Sequence, residues 1–424
     1  ESLLANDGFP ASHTLNLANL GSNSVRFDMA KNVAARSHLR NDPGDTICVD
    51  VVPRAGATLD TPVMHWTLAR RNPLFDPYRT LPANPVVGVK ARQIGFSVVA
   101  NRWRFDLPDT GMLFPGDVVQ YYFSATDHRG GDARTTTMPA DVSGFGTPDP
   151  RIWPALFTMR CLPSVTDASG TQPHVLYWND QGDGAGDDEI YNALRQVLRD
   201  GADVDIYTTR APASGVGNGL GGRATVAQLA GYTDLLYTSG ALSSPTLSNG
   251  DYFGDPGNDL ALLNGWLALG GRDLLAAGDD LATSLYNSGV AGQAFLQSTM
   301  GVHYQDTYAH DDLDGQWSPG VAAVAGNPVF LVAGSWPLRG SCPDRRDFDA
   351  ISALPGAVRL AQFTAPDGVS TPYPLAAAVL NVSGGNRVIT LNHDLSVIST
   401  PSGASDGAGG RRRTVLAEVI NYFG

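Results

Sequence analysis

Hydrophobic and polar residues alternate with a period of two along much of the first 145 residues, which is the pattern of half-buried β-strands. The clearest case is Trp103, Phe105 and Leu107, which fall on one face of a single strand. Turn-forming Gly, Pro and Asp residues separate the stretches, and no helical period of useful length follows residue 40 or so. The pattern predicts an antiparallel β-sandwich over residues 1–145. Its candidate strands are 46–52, 63–68, 96–99, 102–107 and 115–127.

Prolines and glycines interrupt this alternation after about residue 143, and residues 164–172 are small and polar. A segment of this composition is typical of a connection between domains. Residues 146–172 are therefore predicted to be a linker.

From residue 173 to residue 424, short apolar runs alternate with amphipathic stretches. The runs predict buried strands at 175–178, 204–207, 235–238, 273–277 and 387–391, and the stretches predict helices at 187–198, 260–269 and 414–423. Alternating strands and helices predict a doubly wound, mostly parallel sheet with helices on both faces. Because ligands of such sheets bind at the carboxyl ends of the strands, the loops that follow the strands are the first places to look for a site.

Charge narrows the classes of partner. Asp and Glu number 42 against 29 Lys and Arg, which gives a formal net charge of −13. An acidic surface repels phosphate, so nucleic acid is not an expected partner. No uninterrupted apolar stretch approaches the length of a membrane-spanning helix, so none is predicted. The first residue is Glu1 rather than Met, which we interpret as a mature chain or a piece of a longer one.

The loop after the first strand of the α/β region is rich in glycine and acid. It carries Asp180, Asp183, Asp187 and Asp188 within one turn, and hard oxygen ligands on a flexible backbone are what Ca²⁺ requires. The spacing is not that of an EF-hand. The alternative is an exposed acidic loop in which Asp187 or Asp188 caps the following helix. Calcium is the cofactor that this loop suggests.

A second acidic cluster carries Asp306, Asp312 and Asp314, together with His303 and His310. Mixed imidazole and carboxylate ligands suit zinc or calcium, although no His-Glu-x-x-His motif occurs in the chain. The alternative is a solvated acidic insertion.

Glycines crowd residues 209–222, in the loop after the second strand of the α/β region. This density is typical of a phosphate cradle, but the Gly-Lys-Ser/Thr ending of a P-loop is absent. The alternative is a long flexible loop at the edge of the sheet.

The turn after the fourth strand of the α/β region reads Ala277-Gly-Asp-Asp-Leu-Ala282. Many α/β hydrolases place a Ser or Cys nucleophile at this strand-to-helix elbow. Here the position holds Asp279 or Asp280, and His393 at the end of the last strand is the candidate base. The simpler interpretation is that Asp280 caps the helix while Asp279 holds the turn.

Three cysteines are present, Cys48, Cys161 and Cys342. Cys161 and Cys342 lie in irregular segments with neighbouring prolines and are the candidate disulfide, which a secreted protein would oxidise. Cys48 lies within a strand pattern and is predicted to be a buried thiol.

The segment Gly270–Ala282 resembles the Gly-Gly, strand, elbow and helix of class I glutamine amidotransferase-like domains, which have a flavodoxin-like fold. The ending, a strand with His393 followed by the helix of residues 411–424, is similar to theirs as well. The resemblance covers residues 173–424. It is nearest to secreted bacterial proteins in which a fibronectin-like or immunoglobulin-like sandwich precedes this domain, and residues 116–127 look like late strands of such a sandwich. The family's elbow Cys is absent, since Asp stands there.

The resemblance implies an extracellular or cell-surface location, and the absence of the elbow Cys implies a chain without glutaminase activity. Two functions follow as alternatives. The first is a non-catalytic structural or adhesion protein, a pseudoenzyme that contacts protein or glycan at the cell surface or assembles with itself. The second is a secreted hydrolase of glycan or peptide that uses acidic residues or a bound metal at the carboxyl edge of the sheet.

Overall fold

A computed structural model of the protein describes residues 26–29, 35–36, 47–72, 81–92, 98–106, 116–147, 156–163, 173–180, 187–199, 203–208, 219–241, 246–251, 257–315, 318–339, 348–366, 370, 372–399 and 410–424. These residues form two compact units, one drawn from residues 1–172 and the other from residues 173–424. The protein is thus a multidomain β plus α/β chain. Within the part of the chain so described, no helix is both long and apolar enough to cross a membrane.

The first unit is built of two sheets. One has the strand order β1-β3-β8-β7, and the other has the order β2-β11-β9-β5-β6, with β4 and β10 also paired to β9. The strands are β1 Arg26–Met29, β2 Ala35–Arg36, β3 Ile47–Val52, β4 Thr58–Leu59, β5 Val63–Arg70, β6 Val86–Val87, β7 Val89–Arg92, β8 Val98–Phe105, β9 Val118–Arg129, β10 Asp132–Met138 and β11 Phe157–Cys161.

All pairings in the first unit are antiparallel except a two-residue parallel match of β2 with β11. Strand β11 lies inside the segment interpreted as a linker and pairs with β9, so that part of the segment belongs to the sheet. Alternate residues of both sheets turn inward to one core. That core includes Val49, Trp103 and Phe105 from one sheet and Trp66 and Tyr121 from the other. Burying such alternating apolar faces is what stabilises paired sheets in water.

The second unit contains a nine-stranded sheet of order β13-β12-β14-β15-β22-β21-β20-β17-β18 and a two-stranded sheet of β16 with β19. The strands are β12 Val175–Asn179, β13 Val204–Thr208, β14 Asp234–Thr238, β15 Asp273–Ala277, β16 Val302–Asp306, β17 Gly320–Ala323, β18 Ser335–Pro337, β19 Ala350–Ala353, β20 Val358–Thr364, β21 Ala376–Ser383 and β22 Asn386–Leu391. The helices are α1 Asp187–Arg195, α2 Val226–Leu229, α3 Asp259–Leu267, α4 Leu281–Asn287, α5 Gly289–Ala294, α6 Ala309–Asp312 and α7 Gly410–Phe423.

The prediction of a mostly parallel sheet holds for five of the nine strands and is corrected for the other four. The five strands from β13 to β22 run parallel, but β21, β20, β17 and β18 extend the sheet with antiparallel pairings, so it is mixed. For the pairing of β21 with β22 the reason lies in the local sequence. Gly384 and Gly385 have φ values of 60° and 83° and join β21 to β22 in a two-residue hairpin. Two consecutive residues with positive φ make the turn that matches the twist of an antiparallel pair.

Candidate functional site

The carboxyl edge of the parallel strands is where the chain can build a site. After β12 the chain moves outward to β13 and then returns to the other side of β12 as β14. The two connections therefore leave the sheet in opposite directions between β12 and β14. In open α/β sheets such a switch point forms a crevice in which ligands bind.

Tyr237 and Asp180 lie at this switch point. The Tyr237 hydroxyl donates a hydrogen bond to Oδ2 of Asp180 at 2.8 Å, and the Asp180 N–H donates to the Thr238 carbonyl at 2.8 Å. Burial, with the nearby Asp180 carboxylate, holds the pKa of Tyr237 well above its usual value. Tyr237 is therefore a neutral donor that holds Asp180 against the sheet. Trp178 packs edge-to-face on Tyr237 with 4.9 Å between ring centroids.

Of the predicted calcium ligands, Asp180 is the one whose side chain the structure describes. Asp183 and the side chains of Asp187 and Asp188 lie outside the described residues. Calcium binding by this loop remains a prediction.

Asp259, which the sequence analysis did not select, is fully buried beside the switch point. Its carboxylate accepts hydrogen bonds from the N–H groups of Gly221 at 2.7 Å and Ser248 at 3.0 Å. A Cβ added at Gly219 would lie 2.4 Å from Oδ2 of Asp259, and one at Gly221 would lie 2.1 Å from the backbone of Asn258. These two glycines of the 209–222 segment thus serve close packing on the start of α3. The rest of that segment up to residue 218 is outside the described part.

In the elbow after β15, Gly278 packs closely against a neighbouring strand end and Asp279 makes a long-range hydrogen bond. A Cβ at Gly278 would lie 2.0 Å from Oγ of Ser239, so the end of β14 approaches the elbow backbone directly. Oδ1 of Asp279 accepts a hydrogen bond from the N–H of Asp394 at 2.7 Å. Asp279 is buried, with 1% of its surface exposed. Its carboxylate therefore ties the elbow to the turn after β22.

Asp280 occupies the N-cap position of α4, but its side chain makes no capping hydrogen bond. Asp349, from a distant part of the chain, supplies one instead: Oδ2 accepts from the Thr283 N–H at 2.9 Å, and the Thr283 hydroxyl donates to Oδ1. Burial raises the pKa of Asp349 to about 7 in spite of these donors. The predicted cap by Asp280 is corrected, because the helix terminus obtains its acceptor from tertiary packing.

His393 is completely buried and has hydrogen bonds on both sides of its ring. Nε1 of Trp336 donates to Nε2 of His393 at 3.4 Å, and Nδ1 lies 3.3 Å from the Asp394 carbonyl. These partners assign the proton to Nδ1, with Nε2 as acceptor. Burial lowers the pKa of His393 to about 4, so the imidazole is neutral near pH 7. The sheet brings the His393 and Asp279 segments together, but the ring nitrogens of His393 are bonded elsewhere.

The second acidic cluster is spread over a strand end, a short helix and a turn. Asp306 accepts from the Thr307 N–H, Asp312 ends α6, and Asp314 accepts from the Tyr373 hydroxyl at 3.2 Å. All three carboxylates are exposed. Among the residues that the structure describes, no group of three or more His, Cys, Asp or Glu side chains is placed to hold a metal ion.

Cys161 is buried in the first unit, and Cys342 is outside the described residues, so a disulfide between them remains a prediction. Cys48 is half-buried rather than buried. The reason is its position in β3, where Val49 and Val51 take the inward face and Cys48 the other.

The fold and the edge together define an α/β unit with a flavodoxin-like parallel order, extended by antiparallel strands. No family model matches the chain, and no curated protein matches it. Among solved structures it is similar to the cytoplasmic protein STM1381 from Salmonella typhimurium LT2, with 17% identity, a TM-score of 0.38, and 59% of this chain and 98% of that chain covered. It is also similar to a putative ThuA-like protein from Parabacteroides merdae, with 9% identity, a TM-score of 0.33, and 59% and 89% covered.

A third similar structure is a β-galactosidase from Bacillus circulans sp. alkalophilus, with 12% identity, a TM-score of 0.35, and 59% of this chain and 31% of that chain covered. Similarities at this level carry no argument about the function of the present chain.

Proposed function

We propose that this chain is a non-catalytic structural or adhesion protein of the cell surface or extracellular space. In this proposal the first unit is a fibronectin-like or immunoglobulin-like sandwich. The second is a class I glutamine amidotransferase-like unit whose elbow holds Asp in place of Cys. Its partner is a surface protein, a surface glycan or a second copy of the chain.

The observation that carries the proposal is the engagement of Asp279 and His393 in hydrogen bonds that hold the fold. A nucleophile must face the substrate, and a general base must reach the proton that it removes. The Asp279 carboxylate instead holds the Asp394 backbone, and the His393 ring lies between Trp336 and the Asp394 carbonyl. Both side chains are buried, so we assign them a structural role and no catalytic one.

Asp349 adds to this argument. A carboxyl with a pKa near 7 is suited to acid–base catalysis in principle. Its oxygens, however, accept from the N–H and hydroxyl of Thr283 at the start of α4, and the residue is fully buried. Burial of a cap accounts for the raised pKa without any catalytic role.

A substrate screen tests the proposal. The full chain is incubated with ester, amide, glycoside and phosphate substrates, alongside Asp279→Asn and His393→Gln variants whose folding is checked by circular dichroism. We expect no turnover above a buffer blank in any of the three proteins. Turnover by the natural chain that disappears in either folded variant would establish the hydrolase alternative.

Location and binding are tested separately. The native host is fractionated, and the chain is followed with an antibody, with recovery expected in the surface or secreted fraction. Sedimentation velocity over a range of protein concentrations then measures self-assembly. Recovery in the cytoplasm alone would contradict the surface role.

A further inference from the structure

A groove of about 640 Å³ lies on the second unit between α1 and the start of α7. Four arginines line it, Arg195, Arg339, Arg411 and Arg412, and Glu189 is the carboxylate in its lining. The guanidinium group keeps its charge at any physiological pH. In a chain of net charge −13, this groove is thus a local concentration of positive charge.

One wall of the groove is held by Arg412, which is itself a lining residue. Arg412 donates to the carbonyls of Leu395, Ser396 and Ile398 at 2.7, 2.6 and 2.9 Å. These bonds fix the segment after β22 against the first turn of α7. The groove is therefore built on packed secondary structure, which is what a pre-formed ligand site requires.

Arg195 and Arg411 approach from the two helices. The Arg195 guanidinium lies over the Tyr191 ring, 5.8 Å from its centroid, and Nη1 of Arg411 lies 3.4 Å from the Val332 carbonyl. Arg411 also belongs to the first turn of α7, where the helix dipole adds partial positive charge. The dipole only supplements the four side chains. Guanidinium forks bind carboxylate, sulfate and phosphate groups through paired hydrogen bonds.

We propose that this groove binds a small organic molecule that carries two or more oxyanion groups. Its volume lies within the range of roughly 300–1,000 Å³ that is typical of small-molecule sites. Four cationic side chains match more than one anionic group, and polar Asn192 and Ser399 in the lining suit hydroxyls beside them. A long polyanion such as nucleic acid is disfavoured, because the acidic remainder of the surface would repel it. The site does not depend on the proposed function.

Two probes distinguish the sources of the oxyanions: digalacturonate offers carboxylates on a sugar, and pyrophosphate offers phosphoryl oxygens. Isothermal titration calorimetry with the full chain at about 50 mM salt is expected to give a Kd below about 1 mM for at least one of them. Neutral galactobiose is the control ligand and should not bind. Raising the salt to about 0.3 M should weaken the binding.

The variants distinguish binding in the groove from a general attraction of anions to positive charge on the surface. Arg411→Gln and Arg339→Gln should each weaken binding about tenfold or more, because each removes a charged donor. Glu189→Gln should strengthen it by removing the carboxylate. Arg413→Gln is the matched control, since exposed Arg413 follows the groove residues on α7 but does not line the groove. Arg339 is also exposed, so its variant is expected to fold.

Each outcome decides the proposal. Binding of either probe that Arg411→Gln and Arg339→Gln weaken and Arg413→Gln leaves within about twofold supports the site, and the tighter probe names the class of oxyanion. The proposal is overturned if neither probe binds at roughly 10 mM, which is about ten times the upper limit of the expected Kd. Equal weakening by Arg413→Gln also overturns it, because the attraction would then be a property of the whole surface.

Discussion

Oδ1 of Asp279 accepts the backbone N–H of Asp394 at 2.7 Å, and this bond joins two turns that are 115 residues apart in the chain. Both residues are buried. Asp279→Ala would leave that N–H without its acceptor inside the protein. We expect a loss of about 1–3 kcal/mol in the free energy of unfolding, measured by urea denaturation.

Asp280→Ala is the matched control for Asp279→Ala. Asp280 is the next residue and has the N-cap position of α4 without a capping hydrogen bond. Its substitution should therefore cost clearly less than that of Asp279. An equal loss in the two variants would contradict a specific contribution of the bond to Asp394.

Asp349 makes stability depend on pH in an unusual direction. Its folded pKa of about 7 lies above the ordinary value of 3.8. Below pH 3.8 the Asp349 carboxyl is protonated in both the folded and the unfolded state. Between pH 3.8 and about 7 it is protonated in the folded state only. The stability that Asp349 contributes is therefore fully present at low pH and is lost as the pH rises through about 7. The slope from this one group is about 1 kcal/mol per pH unit. Asp349→Asn should remove it.

The measurement is the difference in unfolding free energy between the natural chain and Asp349→Asn, from urea titrations between pH 4 and pH 7. It should fall as pH rises. A difference that is constant over this interval would mean that Asp349 ionises in the folded protein as it does in the unfolded chain.

His393 changes the pH dependence of stability in the direction opposite to that of Asp349. Burial lowers its folded pKa from 6.5 to about 4, so in this interval the unfolded chain binds a proton that the folded protein does not. Its contribution is full above pH 6.5 and is lost as pH falls toward 4. The difference between the natural chain and His393→Gln should therefore rise with pH. Slopes of the same sign for His393→Gln and Asp349→Asn would contradict these assignments.

Gly278 is expected to tolerate no side chain. A Cβ there would lie 2.0 Å from Oγ of Ser239, so Gly278→Ala should cost about 1–3 kcal/mol through overpacking. Oγ of Ser239 makes no hydrogen bond with any described residue. Ser239→Ala alone should thus be nearly neutral, and it should recover part of the loss when combined with Gly278→Ala. Thermal unfolding of the two single variants and the double variant measures this; additive losses would exclude the contact.

Tyr237→Phe tests the hydrogen bond to Asp180 at the switch point. Loss of this buried donor should cost about 1 kcal/mol by urea denaturation. Tyr286→Phe is the control, since Tyr286 is 43% exposed and should change stability by about 0.5 kcal/mol or less. A neutral Tyr237→Phe would show that Asp180 is equally well solvated without it.

Strands that are apolar over most of their length were predictable. The runs at 175–178, 204–207 and 273–277 became β12, β13 and β15 with ends shifted by no more than one residue. Burial on both faces requires apolar residues at most positions, so such strands are visible in the sequence even though Asp205 and Asp273 are buried as well. The elbow residues Gly278, Asp279 and Asp280 followed, because they immediately succeed one of these strands.

The alternating pattern predicted the extent of a strand less well where one residue departs from extended backbone conformation. The described parts of the candidate strands 96–99 and 102–107 belong to one strand, β8, which continues through Asn101 with a φ of 64°. Asn tolerates this left-handed conformation better than most residues. The alternating pattern could not show that pairing with β3 and β7 carries the strand through that position.

The sequence by itself determined the two kinds of unit, the parallel strands and the residues at their carboxyl ends, because hydrophobic period is a local property. Only the tertiary structure decided the rest. Apart from the hairpin at Gly384 and Gly385, the antiparallel extension of the sheet, the burial of Asp259, the cap of α4 by Asp349 and the Arg groove all depend on residues that are distant in sequence. Their energies come from contacts that exist only after the chain has closed on itself, and no local pattern encodes those contacts.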